Sequence, residues 1–99
     1  MDLCVLGLGY VGCVTAASLA RNGHRVTGVD VNSGKVESIN AGHAPLVEPG
    51  LETLVASVVG EGRLRATTDA GEAIAASDAV LICVGTPGLP QNSIGFIPR

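Results

Sequence analysis

The chain has 99 residues, 46% of them apolar and 15% charged, which suits one small domain with an aliphatic core and excludes a disordered tract. A formal charge of -3, with lysine and arginine scattered singly, provides no basic stripe for nucleic-acid phosphates, so nucleic acid is excluded as a partner. No apolar run approaches ~18 residues, and Asp2 stands where a secretory leader would be basic; a cytoplasmic chain without membrane contact is the expectation.

Residues 2–6, DLCVL, form an apolar run stopped by Gly7 and read as a strand buried on both faces. From Tyr10 the period becomes helical: Val11, Val14, Thr15, Ser18 and Leu19 share one face, expected to be the inward one, and Asn22-Gly23 closes the helix. His24 to Val29 predicts a second strand ending at Asp30. Asn32 caps a helix over 33–41, with Val36 and Ile39 inward and Gly42 as the stop. The stretch HAPLVEPG, 43–50, is a loop, with Pro49 expected at the first helical position of the segment after it.

Leu64 to Thr67 predicts a third strand. Asp69 and Glu72 have capping-box spacing and open a short helix to Ala76; AVLICVG, from Ala79, is the fourth strand. Strands alternating with helices define an α/β chain built on parallel βαβ units. The tail GLPQNSIGFIPR, 88–99, has two prolines, two glycines and no period, and is expected to be irregular.

The glycines of Gly7-Leu8-Gly9-Tyr10-Val11-Gly12 follow a strand and open a helix, the setting a dinucleotide-binding turn requires. Gly7 allows the tight exit from the strand, Gly9 keeps a Cβ away from a pyrophosphate, and Gly12 lets the helix approach the sheet. The N–H groups of Tyr10 and Val11 then face the anion at the positive end of the helix. Asp30 lies 18 positions after Gly12, near the spacing of ~20 for an acid that binds the adenosine ribose hydroxyls. Its charge opposes the 2′-phosphate of NADP, and neither Val31 nor Asn32 offsets it, so NAD is the expected cofactor.

Lys35, one helical turn on, is a candidate for the ribose, and Thr86, after the fourth strand, for a hydroxyl contact to the cofactor; an exposed lysine and an ordinary turn residue are the plain alternatives. His24 and His43 have no partners at metal or triad spacing and read as a strand-start and a loop-surface residue; Glu48, in the two-proline loop, reads as a solvated acid, with a place facing a cleft as the alternative. Cys4, Cys13 and Cys83 fit no metal or disulfide pattern and read as small buried hydrophobes.

The segments GLGYVG, GHRVTGVDVNSGKVESINAG, PLVEPGLETLV, GRLRATTD and ICVGTP, in this order, resemble the N-terminal NAD-binding domain of the UDP-glucose/GDP-mannose dehydrogenase family over residues 1–87, with wording nearest its GDP-mannose branch. The resemblance implies a partial Rossmann-type doubly wound sheet of about four parallel strands in the order 3-2-1-4. It also implies NAD contacts at Tyr10, Val11, Asp30, Lys35 and Thr86, and a homo-oligomeric enzyme. That family oxidises the C6 alcohol of a nucleotide sugar to a carboxylate in two hydride transfers to NAD, through a thiohemiacetal and a thioester on a cysteine.

By the same resemblance the catalytic cysteine and its helpers belong far beyond residue 99, so no catalytic residue and no metal ligand are assigned within this chain. The nucleotide sugar is expected to bind only with the remaining part. The sequence after Thr86-Pro87 departs from the family pattern, as expected of a truncated or frameshifted chain. A freestanding NAD-binding module without chemistry is the alternative.

Overall fold

The computed structural model of the chain describes residues 1–83 and the backbone of residues 95–98. Its elements are β1 (Asp2–Leu6), α1 (Tyr10–Arg21), β2 (Arg25–Val29), α2 (Ser33–Asn40), α3 (Leu51–Gly60), β3 (Leu64–Thr67), α4 (Ala70–Ala75), β4 (Ala79–Ile82) and β5 (Gly95–Pro98). The sheet order is β3-β2-β1-β4-β5. The first four strands are mutually parallel, Leu3 pairing with both Val26 and Ala79. This is the expected 3-2-1-4 order of a doubly wound sheet.

Two helices, α2 and α4, start where a side chain satisfies a free N–H group. Asn32 accepts from the Lys35 amide at 3.2 Å, and Asp69 from the Glu72 amide at 3.0 Å. Alternation along the strands sends side chains to opposite faces. Leu3, Val5 and Val26 join the larger apolar cluster with α1, α2 and α3, while Cys4, Val29 and Val80 join a smaller one with Ala73 of α4.

Three expectations are corrected. The face of α1 that meets the sheet is Gly12, Cys13, Ala16, Ala17 and Ala20, whereas Val11, Val14 and Leu19 flank the core half-buried. Small residues let this helix lie close to the strands, so the bulkier stripe is turned to the side, where α1 meets α3. Pro49 precedes the α3 cap and is not at its first helical position. The Glu48 carbonyl accepts from the Leu51 amide at 3.1 Å and Gly50 has φ +81°, a type II turn that uses Pro49 and Gly50 at its two central positions.

The third correction concerns the tail. Gly95–Pro98 runs antiparallel to β4, Ala79 opposite Pro98 and Ile82 opposite Gly95. The free edge of β4 offers a ladder to any extended segment, and the sheet edge is where a proline is tolerated.

Candidate functional site

The turn between β1 and α1 is built by backbone constraints. Gly7 has φ +96° and its amide donates to the Val29 carbonyl at 2.8 Å, tying the exit of β1 to the end of β2. A Cβ on Gly12 would lie 1.7 Å from the Gly7 carbonyl oxygen, so α1 begins in backbone contact with the turn. Gly9 differs from both. Its φ of -74° is open to any residue, and a Cβ built there meets nothing within 4 Å.

Gly9 is also the cap residue of α1 and brings no capping side chain, and no acidic residue occupies the first turn. The leading N–H groups of a helix have no intrahelical acceptor, so those of Tyr10 and Val11 lack one, with the positive end of the helix dipole behind them. An anion fits this end of the helix without displacing a protein group.

Asp30 follows the last residue of β2, beside that turn. Its Oδ2 accepts from the Leu8 amide at 2.8 Å and its Oδ1 from the Asn32 amide at 2.9 Å. A carboxylate has about four acceptor positions. Each oxygen therefore keeps one for a hydroxyl group, while its direction is already set by main chain. The geometry suits a vicinal diol.

Lys35 stands in the first turn of α2, half-buried, and its positive charge acts on Cys13 of α1. Tyr10, 54% exposed, shares with Val14, Arg21, Glu48 and Pro49 the lining of a cavity of about 280 Å³ between α1 and the start of α3. A second cavity, about 260 Å³, lies among Asp2, Arg25, Arg63 and Arg65 at the opposite, amino ends of the strands. Ligands of doubly wound sheets bind outside the carboxyl ends, which separates that cavity from the glycine turn.

The structure thus brings Gly7, Gly9, Tyr10, Val11, Gly12 and Asp30 together at the carboxyl ends of β1 and β2, with Lys35 on the adjoining helix. Thr86 lies outside the described residues. Sequence reasoning passed over Leu8 and Gly28. A glycine inside a strand signals close approach of another group, and here that group is the Leu8 side chain.

The three cysteines are buried, as expected. Burial pushes the Cys13 thiol up to about 11, with Lys35 opposing it in part, and raises Cys4 and Cys83 as well, the latter partly offset by a hydrogen bond with Thr15. None of them is a ready nucleophile. Among the described residues no group of three or more His, Cys, Asp and Glu could hold a metal ion, and no helix is long and apolar enough to cross a membrane.

Comparison with known proteins places this geometry. Residues 1–95 match the model of the UDP-glucose/GDP-mannose dehydrogenase family, NAD binding domain. The chain is 53% identical over 96 residues to GDP-mannose 6-dehydrogenase of Pseudomonas putida, covering 97% of this chain and 22% of that protein. It is 48% identical over 87 residues to UDP-glucose 6-dehydrogenase of Rhizobium meliloti, covering 88% and 20%.

A crystal structure of a ternary complex of GDP-mannose dehydrogenase from Pseudomonas aeruginosa superposes with a TM-score of 0.86 at 47% identity, over 96% of this chain and 22% of that one. UDP-glucose dehydrogenase from Pyrobaculum islandicum gives 0.84 at 49%, over 94% and 22%. The chain spans about a fifth of the length of these relatives. By its glycine turn, its sheet order and these matches, the chain belongs to the UDP-glucose/GDP-mannose dehydrogenase family, of which it forms the NAD-binding domain.

Proposed function

We propose that the turn from Gly7 to Gly12 holds the NAD pyrophosphate on the N–H groups of Tyr10 and Val11, and that Asp30 accepts the adenosine ribose hydroxyls. Lys35 is assigned to the same ribose and Thr86 to a hydroxyl contact with the cofactor, both on the family resemblance. Bound here, NAD supplies the hydride acceptor for an alcohol oxidation.

Gly9 carries the reading. Its backbone tolerates a side chain and the described residues leave open space at its Cβ, so nothing among them requires glycine there. A ligand approaching the main chain does require it. Gly9→Ala is expected to unfold within about 0.5 kcal/mol of the parent, and to lose NAD binding in a calorimetric titration. Unchanged NAD affinity in the folded variant overturns the assignment.

Within the whole enzyme this domain serves oxidation of a nucleotide-sugar C6 alcohol to the carboxylate. The 53% identity to a protein named GDP-mannose 6-dehydrogenase, against 48% to one named for UDP-glucose, supports GDP-mannose. The three buried, protonated thiols support assigning the nucleophile and the sugar site to another part of the enzyme, leaving the isolated chain able to bind but not to oxidise. The enzyme is read as cytoplasmic and homo-oligomeric.

A further inference from the structure

We propose that Leu8 and Gly28 form a steric latch that couples the glycine turn to Asp30, which makes Gly28 a positioning residue for the adenosine end of the cofactor. Leu8 is the residue between the first two glycines of the turn, and its side chain is fully buried. It lies against Gly28 in the middle of β2. A Cβ on Gly28 would approach the two Leu8 methyl carbons to 2.7 and 3.2 Å and Cγ to 3.4 Å.

The same Leu8 donates its amide to Asp30 Oδ2 at 2.8 Å. Side chain and main chain of one residue therefore grip β2 at two points, two positions apart. With Leu8 seated, the N–H of the turn and the carboxylate at the strand end keep one relative position. A methyl at Gly28 meets the ends of the Leu8 side chain, and because Leu8 is wholly buried, on this proposal the displacement passes to its main chain and draws the amide from Asp30. The turn then shifts against the acid, and the two anchors of the cofactor no longer match its length. Gly28 needs no contact with the cofactor to do this.

The proposal rests on the NAD assignment above, so its test needs a readout of each. Gly28→Ala is expected to weaken NAD binding about tenfold in titration calorimetry, the scale of one hydrogen bond to a charged group. Leu8→Ala with Gly28→Ala removes the atoms the new methyl meets, and is expected to regain most of the loss. In the parent, the Leu8 amide should exchange slowly with solvent, and faster in Asp30→Ala and in Gly28→Ala.

Parent-like NAD affinity in Gly28→Ala overturns the latch, and so does a double variant that binds no better than Gly28→Ala. If Gly28→Ala does not fold, recovery of a folded, NAD-binding double variant supports the latch and failure to recover overturns it. If the parent binds no NAD, the functional reading falls; exchange of the Leu8 amide then decides the latch alone, which stands if exchange quickens in Gly28→Ala and falls if it does not.

Discussion

An alanine methyl at Gly12 would sit 1.7 Å from the Gly7 carbonyl oxygen and 3.3 Å from the Cys83 Cβ, with backbone on one side and a buried side chain on the other. Neither can rotate away, so α1 has to move off the turn. Gly12→Ala is expected to cost about 3 kcal/mol or more in urea unfolding, the upper range for overpacking. Gly9→Ala, in the same turn, should cost almost nothing. Comparing the two variants separates what the fold needs from what a ligand needs.

The cysteines make a second prediction at this scale. A thiolate is the reactive form, and burial raises all three thiols, Cys13 to about 11. At neutral pH they therefore stay protonated as well as shielded. Native protein is expected to resist a thiol reagent that labels all three after denaturation; prompt labelling of the folded chain would contradict this.

Among the elements, β3 forms one edge of the sheet, and its exposed main chain is guarded by a side chain. Asn40, the last residue of α2, donates from Nδ2 to the Ala66 carbonyl at 2.9 Å, and its Oδ1 accepts from the Ala66 amide at 2.8 Å. The carboxamide imitates a neighbouring strand where a real one would invite association. Asn40→Ala leaves both groups unpaired, an expected loss of about 1–3 kcal/mol. Size-exclusion chromatography is expected to show larger species than the parent at the same concentration.

The loop before α3 is held by charge as well as by its type II turn. Glu52 accepts from the His43 ring at 2.8 Å and from the Ala44 amide at 3.1 Å. The His43 hydrogen bond first, then that of Ala44, holds its carboxyl below the ordinary value. A depressed carboxyl stabilises the fold above its unfolded pKa, and the gain disappears as the pH falls through its folded value. The parent should therefore melt slightly above Glu52→Gln at neutral pH. That gap should close below the carboxylate range, and a gap that persists in acid would contradict the pairing. The effect is small because both groups face solvent.

Across the whole molecule, the elements that obey local rules were legible in the sequence. Asn32 and Asp69 cap the helices they were expected to cap, since capping needs only a side chain and an amide three residues on. Parallel βαβ units follow from the alternation of strands and helices, and the 3-2-1-4 order was what the family resemblance implied. The approach of Asp30 to that turn followed from its spacing, because a helix and a strand of ordinary length bring the ends of β1 and β2 together.

Other features depended on how closely distant segments approach. Periodicity of bulky residues pointed α1 the wrong way, because it weighs hydrophobicity and ignores the short helix-to-sheet distance that glycine and alanine permit. Leu8 against Gly28, Asn40 on Ala66 and β5 beside β4 join positions separated by 13 residues or more. The sequence by itself determined the kind of turn, the acid beside it and the family. Only the tertiary structure decided which buried side chain lies against β2 next to the acid, because that depends on a clearance of a few tenths of an ångström that no local rule specifies.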